Sequence, residues 1–215
     1  MDKTWTQDLL DFLDRSPTCY HAVAELAAKL TAAGYRLLQE QEPWTLAPGQ
    51  GYFVIRGQAS LAAFRVPEGP WRGFAIAAAH SDSPTFKVRE EAEVSGAGKT
   101  MRLSVEPYGG GIYRSWLDRP LSVAGRVLVR TAAGVEPRLV NVDRDLLVIP
   151  SVAIHMDRAV NKGTALDPAV DLLPLLGMED KGAFRRLIAA AAGVEEADLV
   201  TTDLVLYPRM RGTCV

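Results

Sequence analysis

A surplus of charge of one sign is absent from this sequence. Its 24 lysines and arginines stand against 26 aspartates and glutamates, for a formal net charge of -2, and no long single-sign run occurs. That excludes the basic footprint that binds nucleic acid. No stretch of about 18 consecutive apolar residues is present, so no transmembrane helix and no membrane partner are expected. Met1 to Leu10 carry acidic and polar residues where a signal peptide needs a basic start and an apolar run, so the expected compartment is the cytoplasm. Cysteine is scarce. Cys19 and Cys214 sit near opposite ends and neither belongs to a CxxC pair, which argues against a structural zinc knot. Two reduced thiols describe them better than a disulfide does. Internal repeats and low-complexity tracts are also missing. What remains is a chain of 215 residues, 48% of them hydrophobic, enough for one large domain or two small ones with a buried core.

Along the chain, Trp5, Leu9, Phe12 and Leu13 recur at helical spacing. Ser16-Pro17 reads as an N-cap with proline at the first helical position of a second helix. Val23, Leu26, Ala27 and Leu30 form one face of that helix, and Gly34 is its stop. GYFVIR (51–56) and SLAAFRV (60–66) read as strands joined by a turn at Gly57. FAIAAA (74–79) is a continuous apolar run that fits a strand buried on both faces, with His80 at its end. From about Phe86 to Asn141 the pattern is β-rich, including Met101 to Val105 and Leu121 to Val129. Gly109-Gly110-Gly111 marks backbone that no side chain shares. A helix is expected over 182–192 and a last strand over 199–207.

The candidate chemistry centres on AHSDSP (79–84). A histidine at the carboxyl end of a buried strand lies where open α/β sheets place ligands. Asp82 is close enough in sequence to reach the same imidazole. A carboxylate on one ring nitrogen fixes the tautomer and raises the basicity of the other nitrogen as a metal ligand. By itself a His-x-Asp tripeptide also describes a histidine satisfied within a loop.

The surroundings of that tripeptide extend over AAHSDSPTFKV (78–88), VEPYGGGIY (105–113), WLDRPLSVAGRV (116–127), IPSVAIHMDR (149–158) and DLVLYP (203–208). In this order these blocks resemble the aspartyl aminopeptidase family of zinc metallopeptidases, metallopeptidase family eighteen. The resemblance implies an α/β zinc-aminopeptidase-like catalytic domain, here partial, interrupted by a β-rich dimerisation domain. The first part of the catalytic domain falls at 1–88, the insertion at 89–198, and a return strand at 199–215. It also implies two zinc ions, a peptide substrate shortened from its N-terminus with a preference for acidic residues, and a homo-oligomer built through the inserted domain. On this pattern His80 is a zinc ligand and Asp82 the carboxylate that orients it. The family's remaining ligands and its glutamate base fall beyond the strand that ends near Tyr207. The residues from Pro208 to Val215 include no Asp, Glu or His.

His155 has three readings: a metal ligand, a contact to substrate or a transition-state oxygen in a neighbouring subunit's site, or a structural histidine beside Asp157. Other features read as structural. Tyr108 to Gly111 lacks the Lys-Ser/Thr partner of a phosphate loop. Cys19 and His21, two apart on a helix, do not face each other. Asp118-Arg119 and Asp157-Arg158 read as ion pairs or interface contacts. Two functions result: a zinc aminopeptidase represented by its N-terminal portion, or an inactive oligomerisation module.

Overall fold

A computed structural model describes residues 3–214. The chain divides into two compact units, Met1–Ser83 with Gly212–Val215, and Pro84–Arg211. No helix among the described residues is long and apolar enough to cross a membrane.

The first unit opens with α1 (Lys3–Arg15), where the helical spacing predicts it. Its Trp5, Leu9 and Leu13 lie one turn apart and remain 75%, 56% and 54% exposed. The start of α2 (Cys19–Ala32) differs from the sequence expectation: Thr18, not Ser16, is the cap. Thr18 is extended, and its hydroxyl oxygen accepts the His21 N–H at 3.4 Å, which satisfies a donor the first turn leaves over. Gly34, at φ +82°, follows the end of the helix. β1 (Arg36–Leu37) pairs parallel with β2 (Gly51–Arg56), which turns back into β3 (Ser60–Arg65). Tyr52 and Phe53 of β2 and Val23 of α2, each 2% exposed, are the most deeply buried apolar side chains described in this unit.

One expectation fails here. The apolar run 74–79 forms no strand, and His80 does not cap one. Phe74 and Ile76 are 78% and 85% exposed. A strand buried on both faces needs neighbours that satisfy its N–H and C=O groups and cover its side chains. None lies beside this run among the described residues, and apolar composition alone does not create one.

The second unit is a six-stranded antiparallel sheet with the order β7-β6-β9-β4-β5-β8. The strands are β4 (Thr85–Ser95), β5 (Met101–Tyr108), β6 (Leu121–Thr131), β7 (Gly134–Asn141), β8 (Leu175–Gly177) and β9 (Leu199–Pro208). Burial follows the two-residue period of a strand: Met101, Leu103 and Val105 on β5 point inward, as do Leu204 and Leu206 on β9. α3 (Ala183–Ala192) buries Phe184, Ile188, Ala189 and Ala192, one face at helical spacing. Gly125 permits the close pairing of β6 and β9. A Cβ there would lie 2.1 Å from the Asp203 carbonyl oxygen.

The division of the chain also differs from the expected one. The strand at 199–208 forms, but it runs between β6 and β4 in the six-stranded sheet and does not join the first unit. Nine residue pairs, from Leu121↔Pro208 to Val129↔Leu199, hold it against β6, and that ladder decides its membership. The boundary falls between Ser83 and Pro84, not at 88, because β4 starts at Thr85.

Candidate functional site

His80 and Asp82 meet as the sequence suggests. The imidazole Nδ1 lies 2.7 Å from the Asp82 carbonyl oxygen and 3.1 Å from its carboxylate Oδ1. Both partners only accept hydrogen bonds, so Nδ1 carries the proton and donates. The Nε2 lone pair is then the ring's remaining acceptor, the atom that could hold a metal. The next residue fastens the loop: the Ser81 hydroxyl donates to the Ala59 carbonyl at 2.8 Å, tying this turn to the end of the β2–β3 hairpin. The His80 side chain is 79% exposed.

A neutral imidazole of fixed tautomer suits zinc as one donor of a larger set. Among the described residues, no group of three or more His, Cys, Asp or Glu side chains gathers around one point. His80 thus fits a single coordination position, with Asp82 behind it.

His155 stands in the second unit, exposed, at the third position of a turn that the Met156 N–H closes onto the Ala153 carbonyl at 2.8 Å. Asp157 does not serve this imidazole. Its carboxylate accepts from the Ala159 N–H at 3.0 Å and from the Thr164 hydroxyl at 3.2 Å. Asp118, for which the sequence suggests an ion pair or an interface contact, binds Ser151, through the N–H at 2.9 Å and the hydroxyl at 2.5 Å. Those two bonds, the hydroxyl first, hold its carboxyl below the ordinary value of 3.8.

His21 is committed to its own helix. Its Nδ1 is 2.8 Å from the Thr18 hydroxyl, and burial lowers its pKa from 6.5. Cys19 and Cys214 form no disulfide. In the glycine run, only Gly109 needs to be glycine. It adopts φ +74° with its Cβ position 3.4 Å from Pro84 Cα, whereas Gly110 faces open space.

A shallow groove on the six-stranded sheet, lined by Lys87, Arg126, Thr201, Thr202 and Asp203, was not foreseen from the sequence. Asp203 neutralises its cations, at 3.0 Å from Lys87 and 3.8 Å from Arg126, and no histidine borders it. The groove brings together no catalytic group.

Comparison with known proteins adds to this geometry. Residues 12–215 match the family described as aminopeptidase I zinc metalloprotease (M18). The chain is 40% identical over 184 residues to aspartyl aminopeptidase 1 of Schizosaccharomyces pombe, covering 83% of this chain and 39% of that one. Among solved structures it resembles a chain of the Ape4 and Nbr1 complex, with a TM-score of 0.92 and 34% identity over 97% of this chain and 45% of that one. It also resembles the mApe1 dodecamer of S. cerevisiae, with a TM-score of 0.79 and 26% identity over 96% and 48% of the two chains. The chain spans about half the length of the curated relatives it matches.

Proposed function

The chain belongs to the M18 family of aminopeptidase I zinc metalloproteases, and from that premise we propose that it serves a zinc aminopeptidase that releases N-terminal residues from peptides. The observation that carries the reading is the His80–Asp82 pair, with Nδ1–H spent on Asp82 and Nε2 left to ligate. In this reading His80 holds one zinc and Asp82 holds His80. A zinc pair supplies polarisation of the scissile carbonyl and an activated water near neutral pH. The likeness to an aspartyl aminopeptidase supports a preference for acidic N-terminal residues.

We assign His155 to a neighbouring subunit's site, as a contact to substrate or to the oxygen that gains charge in the transition state. One observation supports this over a ligand role within its own unit: Asp157, the carboxylate nearest in sequence that could orient this imidazole, is bonded elsewhere. A homo-oligomer formed through the second unit follows, in keeping with the dodecameric relative. Sedimentation tests this, and a clean monomer at micromolar concentration contradicts it.

Hydrolysis of aspartyl and neutral aminoacyl substrates with excess zinc or manganese tests the activity. The 215 residues alone are expected to show no turnover, because a single histidine with its orienting carboxylate binds zinc too weakly to build the site. Fused to the second half of a family member, the chain is expected to turn over substrate, and His80→Ala to abolish it. Turnover that survives His80→Ala overturns the reading.

A further inference from the structure

We infer that Asp118 is the positioning residue that presents His155: one short segment, 114–118, clasps both ends of the loop that carries this histidine. The inference rests on the assignment of His155 to a neighbour's site.

The loop leaves the core abruptly. Ile149 is 0% exposed, yet Val152, Ile154 and Met156 are 60%, 48% and 80% exposed. Apolar burial therefore holds the loop at its root and nowhere along 152–156. What holds it beyond the root is polar. Leu117 pairs with Ile149 as a parallel bridge, and the Asp118 N–H donates to the Ile149 carbonyl at 2.9 Å. Asp118 adopts φ +56°, a left-handed conformation that aspartate tolerates better than most residues. In that conformation its carboxylate accepts both the Ser151 N–H and the Ser151 hydroxyl. Three hydrogen bonds thus join one residue to 149–151, two of them charge-assisted.

The far end of the loop is held from the same segment. Arg114 donates to the Thr164 carbonyl, and the Thr164 hydroxyl donates to Asp157. Arg114 and Asp118 flank Trp116, which is 8% exposed and packs edge-on against Phe86 with ring centroids 5.1 Å apart. The clasp is therefore rooted in the core, while His155 stands free at its turn between the two fastenings. A side chain offered to another subunit needs this pre-organisation, because a loose loop pays its ordering entropy at every encounter.

The test uses the 215-residue chain. Asp118→Ala is expected to speed tryptic cleavage after Arg158 by about tenfold, since cleavage follows the open population of the loop. It is also expected to move the His155 imidazole resonance to its random-coil position. Asp118→Asn keeps an acceptor for the Ser151 N–H and is expected to restore most of the protection and the native resonance. Ser151→Ala removes only the hydroxyl and is expected to loosen the loop less than Asp118→Ala. Unchanged cleavage and an unmoved His155 resonance in Asp118→Ala overturn the inference. If Asp118→Ala fails to fold, Ser151→Ala decides by the same criteria. His155→Ala, assayed for turnover in the fused enzyme, tests the assignment separately. Full activity there overturns the assignment while leaving a loosened loop as proof of the clasp. A loop that does not loosen overturns the clasp whatever His155 does.

Discussion

Replacing Glu93 removes a cap that comes from outside the helix it serves. α3 begins after Gly182, at φ +87°, which offers no side chain, and the first turn holds no acidic residue. Glu93 on β4 supplies both missing elements: one carboxylate oxygen accepts the Phe184 N–H at 2.6 Å and the other accepts the Gly182 N–H. Loss of a capping side chain costs about 1–2 kcal/mol. Loss of negative charge at a helix N-terminus adds about 0.3–1 kcal/mol. The two N–H groups are partly buried, so water replaces the carboxylate poorly, and Glu93→Ala is expected to cost about 2 kcal/mol. At roughly 2–4 °C per kcal/mol for a chain of this size, Tm falls by about 4–8 °C. Glu93→Gln keeps one acceptor and loses the charge, so it is expected to fall about half as far. Calorimetry near neutral pH, with urea unfolding as a second measure, checks the ranking. A Glu93→Ala variant that melts with the parent chain refutes the reasoning. So does a Glu93→Gln variant as damaged as Glu93→Ala, which would assign the whole effect to charge and none to the bonds.

Asp82→Ala is expected to weaken zinc binding by about tenfold, the low end of the range for outer partners of a ligand, because the Asp82 carbonyl still accepts from Nδ1. Competition against a chromophoric chelator measures it, with His80→Ala as the variant that loses binding entirely. Gly125→Ala places a Cβ 2.1 Å from the Asp203 oxygen and 2.8 Å from Leu204 Cα. It is expected to cost about 3 kcal/mol or more, read as a lower urea midpoint, and an unchanged midpoint contradicts the pairing of β6 with β9. The Asp118 carboxyl is held below its ordinary value in the folded chain, so its contribution is complete above the unfolded pKa and is lost as pH falls through the folded one. The Ser151 amide resonance is expected to hold steady down to about pH 4 and to shift below it, and a shift centred above that pH contradicts the bond.

Local patterns were legible in the sequence wherever they determine structure locally. Trp5, Leu9, Phe12 and Leu13 announce α1, and GYFVIR with SLAAFRV announces the β2–β3 hairpin. His80 and Asp82, two residues apart, are neighbours by sequence and meet within one loop. What depends on distant partners was not legible. The run 74–79 has the composition of a buried strand but no neighbour to pair with. β9 reads as a strand either way, and only its ladder with β6 assigns it to the second unit. The cap of α3 lies on another element, so no pattern near Gly182 signals Glu93. Asp118 beside Arg119 reads as an ion pair or an interface contact, and nothing near it signals Ser151, which the fold brings to it across 33 residues.

The proposed function requires His80 to offer Nε2 to zinc while Asp82 holds Nδ1. With only three histidines in the chain, each imidazole can be followed by its nitrogen resonances as zinc is added. On titration with zinc the His80 Nε2 resonance is expected to move, its Nδ1 to keep its proton, and His21 and His155 not to respond. A zinc-induced change centred on His21, or on His80 Nδ1, or on none of the three, contradicts that requirement.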